Sequence, residues 1–175
     1  MLGNNNNSGN QYNIFIDKQQ LINFTHPFSG DTLLHACIPS NNVIGKRKNL
    51  VELILRRGAT SSLNVLNKQG SSPLHLAVHL KNVDLIQLLV RNEEINIDML
   101  EGSSGKNSLH LAAEANCSSI CYVLINCGAN KNILSNHGFR ASQLTTDIDL
   151  CEFLSDKECP ESNMACLAGK FSFLF

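Results

Sequence analysis

Apolar residues recur at helical spacing in three stretches of the sequence, residues 50–55, 85–90 and 120–125. In each stretch five of the six residues are apolar and form a stripe along a helix, with Glu52, Gln87 or Tyr122 as the exception. The pattern predicts three amphipathic helices that each bury one face. A weaker stretch at residues 150–154 predicts a fourth helix, about three residues early against the repeat period.

A Leu-His pair recurs ahead of these helices, and a glycine lies five residues before each histidine. The histidines are His35, His75 and His110, and a fourth copy keeps Gly138 but has Gln143 at the histidine position. The intervals are 40, 35 and 33 residues. The first unit has five extra residues between its two helices. The loops that join the first unit to the second and the second to the third have two extra residues each, and together these account for the excess over 33. The pattern predicts tandem helix–turn–helix units at 29–69, 70–104 and 105–137, with a partial unit at 138–154.

The recurring residues have a structural interpretation. The glycine suits a turn with positive φ, and Thr32 and Ser72 stand where a hydroxyl caps a helix start. Pro73 fits the first helical position, where its missing N–H is not needed. We expect each histidine to bond this capping group and the backbone of a neighbouring unit. Periodic recurrence is better explained by architecture than by three identical catalytic bases.

A single helix pair cannot bury its apolar face alone, so the units are expected to stack, and about three are needed for stability. Three full units and one partial unit predict a marginally stable array with the fourth unit as a terminal cap. Residues 1–28 form a predicted N-terminal segment, partly disordered, whose apolar residues 12–16 and 21–24 are a possible cap on the first unit. Residues 155–175 form a predicted C-terminal tail.

Composition narrows the function further. Lys and Arg number 14 against 15 Asp and Glu, a net charge of −1, which argues against a general nucleic-acid or membrane-surface binder. The first residues have no secretory-signal pattern, and seven cysteines without one suggest reduced thiols in the cytoplasm, the nucleus or both. No catalytic motif is present, and His75 and His79 lack a third ligand. We therefore predict no enzyme, no cofactor and no metal site.

These units resemble ankyrin repeats, and the resemblance covers roughly residues 30–154. A narrower likeness is to the IκB proteins and the ankyrin half of NF-κB precursors, including the Relish type. It rests on the Gly-Asp-Thr-Leu-Leu-His opening at 30–35, the long connection at 63–69, the Ser-Gly-Lys unit at 104–112, and the Gln-Leu-Thr ending at 143–145. The resemblance implies an all-α ankyrin solenoid of about four stacked helix–turn–helix units with finger loops.

The resemblance also implies a function. IκB proteins bind Rel/NF-κB dimers through their repeat surfaces and mask the dimer's basic nuclear-localisation segment. This chain departs from typical members because it has three repeats and a part, and lacks the Asp-Ser-Gly-x-x-Ser phosphodegron. It is closer to a short or viral-type inhibitor, or to a truncated isoform. The alternatives are a scaffold or adaptor for an unrelated protein, and a precursor fragment with no independent role.

Two groups of residues in the fingers are candidates for partner binding. The acidic run of the second-to-third finger suits a basic peptide, or is a solvated loop; it comprises Glu93, Glu94, Asp98 and Glu101. The apolar finger residues are candidate anchors, although at least half are expected to pack between repeats; they are Leu63, Leu66, Met99, Leu100, Ile133 and Leu134.

Overall fold

The structure, a computed structural model, describes residues 24–38 and 44–155. The predicted N-terminal cap at 12–16, most of the 21–24 stretch, and the tail beyond residue 155 lie outside the described residues. Within the described part the chain is helical, with an isolated antiparallel bridge between Thr25 and Thr32 and no strand of greater length.

The helices come in consecutive pairs, as the repeat predicts. The first three pairs are α1 (Leu33–Cys37) with α2 (Ile44–Arg56), α3 (Pro73–His79) with α4 (Val83–Val90), and α5 (Ser108–Glu114) with α6 (Ser118–Asn126). In the fourth unit a 3₁₀ turn at Ala141–Gln143 takes the place of the first helix, and α7 (Ile148–Leu154) follows. Another 3₁₀ turn, Ala59–Ser62, follows α2.

The units stack side by side in two rows of helices. The inner row brings α1 against α3, α3 against α5, and α5 against the second 3₁₀ turn, while the outer row brings α2 against α4 and α4 against α6. Buried apolar side chains from both rows form one core that runs from Leu34 to Leu154. The predicted all-α solenoid of about four stacked units is confirmed.

The first helices start where the sequence predicts, because each has a capped N-terminus. The side chains of Thr32, Ser72 and Asn107 accept the backbone N–H three residues further on, which belongs to the histidine of that unit. Pro73 occupies the first turn of α3. In the fourth unit Gln143 does what the histidine ring does elsewhere, since its Oε1 accepts the N–H of the capping residue Arg140 at 2.8 Å. The Arg140 side chain itself makes no capping hydrogen bond.

Consecutive finger loops touch through their backbones. The Gly102 N–H donates to the Gly70 carbonyl oxygen over 2.9 Å, and Gly70 itself has a φ of +78°. A Cβ atom at position 70 would lie 2.7 Å from the Gly102 nitrogen and 2.8 Å from its Cα. This position therefore needs glycine twice over, for its conformation and for the close approach of the next finger.

Substituting Gly70 tests the importance of this approach, and Gly138 is the matched control. Gly138 has a φ of +75° and nothing within 4 Å of an added Cβ. We expect Gly138→Ala to cost about 1–2 kcal/mol of unfolding free energy, from backbone strain alone. Gly70→Ala should cost about 1–3 kcal/mol more, because the added carbon overlaps backbone. Urea denaturation of both variants measures the difference, and equal losses would mean that the fingers are not in contact here.

Candidate functional site

The histidines connect the first helix of each unit to the finger that follows. In the first unit His35 Nδ1 lies 2.7 Å from Thr32 Oγ1, and Nε2 lies 2.9 Å from the Ser71 carbonyl oxygen. In the second unit His75 Nδ1 lies 2.9 Å from Ser72 Oγ, and Nε2 lies 3.0 Å from the Met99 carbonyl oxygen. The predicted structural role of these histidines is confirmed.

The third unit repeats the arrangement with a different cap. His110 Nε2 lies 3.0 Å from the Phe139 carbonyl oxygen, and Nδ1 lies 3.3 Å from the Asn107 nitrogen. Asn107 stands in the place of the hydroxyl residue, and its Nδ2 donates to Asp98 Oδ1 over 3.2 Å. The asparagine therefore links its own helix start to the base of the preceding finger.

Burial keeps these three imidazoles neutral. Loss of solvation is the main cause that lowers the pKa of His35, His75 and His110, and the carbonyl acceptors only partly oppose it. In the neutral ring Nε2–H donates to a backbone carbonyl of the following finger, while Nδ1 accepts the N–H of the capping residue. These histidines are structural joints with no unsatisfied ring nitrogen to offer a substrate.

Each of the fingers held by these histidines exposes a leucine. Leu66, Leu100 and Leu134 occupy the same position in three consecutive fingers, at intervals of 34 residues. Their side chains are 38%, 42% and 53% exposed. We call these three residues the leucine row. The residue before each leucine is half-buried, in keeping with the alternation of an extended segment.

Polar side chains hold the finger bases together beneath the leucine row. Asn64 Nδ2 donates to the Glu94 carbonyl oxygen at 2.7 Å, and its Oδ1 accepts the Asn96 N–H at 2.8 Å. In the next finger the Asp98 carboxylate accepts the Asn130 N–H, at 3.0 and 3.2 Å to its two oxygens. The fingers are therefore preformed, each tied to the one before it.

The predicted acidic run divides into two parts. Glu93 and Glu94 are exposed. The Asp98 carboxylate is engaged in the joints just described. Glu101 Oε1 accepts the Ser104 hydroxyl at 3.0 Å, and its buried Oε2 has no hydrogen bond and lies 3.9 Å from His79 Nε2. Only the first two carboxylates present their charge to solvent without such a structural contact.

The predicted apolar anchors also divide. The prediction that Leu63 is a partner anchor is wrong, because its side chain is buried in the core and offers a partner no surface. Met99 and Ile133 are half-buried next to the leucine row. Leu66, Leu100 and Leu134 remain exposed. The sequence analysis missed Asn64 and the structural role of Asp98. Their spacing was a signal for both, because they lie 34 residues apart, as Leu66 and Leu100 do.

Chemistry other than binding finds little support in the described residues. They contain no group of three His, Cys, Asp or Glu side chains able to hold a metal ion. Burial raises the pKa of the Cys121 thiol to about 12, which keeps it protonated and poorly nucleophilic. Over the same residues, no helix is long and apolar enough to cross a membrane.

Comparison with known proteins places this architecture. A family model of ankyrin repeats, in three copies, matches residues 34–135, which is more than half of the chain. The chain belongs to the ankyrin-repeat family. Ankyrin repeats are typically protein-interaction modules without enzymatic activity. The exposed, preformed fingers are consistent with a protein-binding surface.

Curated relatives match this ankyrin-repeat chain over small parts of their own length. Human transient receptor potential cation channel subfamily A member 1 is 28% identical over 132 residues, which is 75% of this chain and 10% of that protein. The NF-κB p105 subunit is 33% identical over 92 residues in Gallus gallus and 32% over 91 in Rattus norvegicus, each covering 51% of this chain and 9% of the relative. This chain spans only about a tenth of the length of these relatives.

A solved structure shows the same fold. The ankyrin repeat domain of Bcl-3, described as a member of the IκB protein family, superposes with a TM-score of 0.63 at 24% identity. The match covers 71% of this chain and 51% of that domain's chain. At this identity the likeness establishes the ankyrin-repeat fold alone.

The buried histidines predict that stability falls in acid. An unfolded histidine binds a proton as the pH falls below about 6.5, whereas the buried ones do so only at lower pH. Their contribution is complete above pH 6.5 and is lost as the pH falls through the folded-state pKa. Urea denaturation between pH 7.5 and pH 5 should show this loss, and His75→Gln should make it shallower.

The choice of glutamine follows Gln143, which caps the fourth unit without an imidazole. The matched control is His137→Gln, at an exposed position near a finger tip. An acid profile that His75→Gln leaves as steep as that of the unaltered chain would contradict a role for the buried ring in acid sensitivity.

Proposed function

We propose that this ankyrin module is an IκB-like inhibitor that binds a Rel/NF-κB-type transcription factor dimer and covers its dimer and nuclear-localisation surfaces. The sequence resemblance supports this, as do the likeness to the NF-κB p105 subunit and the shared fold with Bcl-3. Such a protein acts in the cytoplasm, the nucleus or both, and needs no cofactor.

The leucine row is the observation that carries the proposal. Leu66, Leu100 and Leu134 project from three tied fingers at one residue per unit. Aligned exposed apolar side chains suit an apolar partner segment, and buried apolar anchors supply most of the affinity in protein interfaces. Because the fingers are already held by hydrogen bonds, binding orders little backbone, which lowers its entropic cost.

The exposed carboxylates add negative charge near this surface. Glu93 and Glu94 lie between α4 and the finger that carries Leu100, the middle finger of the row. Two adjacent negative charges there favour a partner segment that also carries basic residues, such as a nuclear-localisation sequence. Exposed charges of this kind raise the association rate and select among partners more than they increase affinity.

The first test removes the leucine row. The triple variant Leu66→Ser/Leu100→Ser/Leu134→Ser should bind a Rel-homology dimer about 30-fold more weakly, from the loss of about 2 kcal/mol of anchor burial. The matched control is Ile148→Ser, which changes a largely exposed apolar side chain on the outer helix α7. Isothermal titration calorimetry measures both. Unchanged affinity of the triple variant would remove the row from the interface, and no binding by the unaltered chain at micromolar concentrations would remove the Rel assignment.

The second test reverses the exposed charges. Glu93→Lys/Glu94→Lys should slow association with a dimer that retains its basic segment, and should reduce the dependence of the association rate on salt. Biolayer interferometry at 50 and 300 mM salt measures the rate. The control reverses two exposed carboxylates on α7, Asp149→Lys/Glu152→Lys, so that the net charge changes by the same amount. If both reversals have the same effect, net charge rather than the local pair governs association.

A second candidate function is a scaffold or adaptor for an unrelated protein. The channel relative favours it, because that likeness covers 75% of this chain against 51% for the p105 subunits. Affinity purification with mass spectrometry separates the two candidates. Recovery of Rel-homology proteins by the unaltered chain, and their loss with the triple leucine variant, supports the inhibitor; specific recovery of other proteins alone supports the scaffold.

A further inference from the structure

The outer helix of the first unit exposes two apolar side chains whose counterparts in the other three units are buried or half-buried. Leu50 of α2 corresponds to Leu85 of α4, Ile120 of α6 and Leu150 of α7 by position in the repeat. Leu50 is 44% exposed, whereas the other three are 5%, 1% and 2% exposed. Leu53 is likewise 47% exposed, and its counterparts Leu88, Val123 and Phe153 are half-buried.

The preceding outer helix covers these positions in the later units. Helix α2 packs against α4 and α4 against α6, and Tyr122 of α6 stacks on Phe153 with ring centroids 4.1 Å apart. In α2 the side that faces the next unit is marked by Lys48, whose Nζ lies 3.9 Å from Asp84 Oδ1. At about 100° per residue, Leu50 and Leu53 point about 140–160° away from Lys48. They therefore lie where a preceding helix would pack.

We propose that residues 12–22 of this chain occupy that place and cover Leu50 and Leu53, which we call the end face. This stretch begins with the uncharged, mainly apolar run Tyr12-Asn13-Ile14-Phe15-Ile16 and ends with Leu21-Ile22. Its chemistry matches the aliphatic residues that it covers. This inference does not depend on the proposed function, because the end face and the leucine row share no residue.

The described chain delivers this stretch to the right end of the solenoid. Thr25 pairs with Thr32 at the start of α1, and the His26 N–H donates to the Asp31 carbonyl oxygen at 2.8 Å. Since α1 packs on α2, the described chain begins in the unit that carries the end face. At about 3.3 Å per residue, residue 12 reaches up to about 40 Å from Phe24, several times the 10–12 Å diameter of a helix. A segment tethered this closely has an effective concentration in the millimolar range.

A tryptophan reporter tests the contact in the full chain, which has no tryptophan of its own. We expect the indole of F15W to emit at short wavelength and to be protected from iodide. Adding Leu50→Ser/Leu53→Ser should shift the emission to longer wavelength and raise iodide quenching severalfold, whereas adding Ile148→Ser should change neither. Circular dichroism confirms that each variant is folded. A solvent-exposed indole in F15W alone would overturn the proposal.

A second experiment leaves Leu50 and Leu53 unchanged and substitutes the residues that we propose cover them. In the full chain, Ile14→Ser/Phe15→Ser/Ile16→Ser should speed hydrogen exchange of the α2 amides severalfold. The matched control, Phe171→Ser/Phe173→Ser/Phe175→Ser, removes as many apolar side chains from the other end and should leave α2 exchange unchanged. Equal effects of the two variants would overturn the proposal. Protection of α2 or of the indole that rises with protein concentration would assign the end face to a second copy instead, and would also overturn it.

Discussion

The hydrogen bond from a buried imidazole to the backbone of the following finger is the contact on which the rest of the structure depends. His35, His75 and His110 each fix a helix start through Nδ1 and the following finger or turn through Nε2. The bond requires a neutral ring at hydrogen-bond distance from the finger backbone, so it fixes each finger relative to the helix start of its unit.

A solenoid built from nearest-neighbour contacts has ends unlike its middle. At the C-terminal end Gln143 replaces the histidine and the helix shrinks to a 3₁₀ turn, since no further finger of the described chain needs a donor there. At the N-terminal end the outer helix keeps the apolar residues of an internal unit, Leu50 and Leu53. The two ends of the described chain therefore differ, because the fourth unit lacks the histidine of an internal unit, whereas the first unit keeps the apolar residues of one.

The sequence was sufficient for the fold and only partly sufficient for the surface. Helix pairs, their caps and the histidine contacts follow from residues that recur once per unit, so periodicity alone identifies them. The fingers are harder to predict because they are extended, and residues three apart can have opposite fates. Leu63 is buried while Leu66 is exposed. An extra residue in the second finger, near Ser103, also hides the 34-residue register that aligns Leu66 with Leu100. From the sequence, Asp98 looks like part of a charged surface. The groups that donate hydrogen bonds to its carboxylate are a backbone N–H and a side-chain amide from distant residues, and a sequence does not show such contacts.

The ankyrin fold by itself does not explain the leucine row. The histidine contacts use backbone carbonyls, and the finger bases are joined by Asn64 and Asp98. None of these contacts needs an apolar side chain at positions 66, 100 and 134, and a polar residue there would be better solvated. One exposed leucine is ordinary on a protein surface, but three at equivalent positions of tied fingers are not required by the fold. In the function that we propose, selectivity for a partner depends on these residues, which the repeat architecture leaves unconstrained, with the row supplying apolar contact and Glu93 and Glu94 supplying charge.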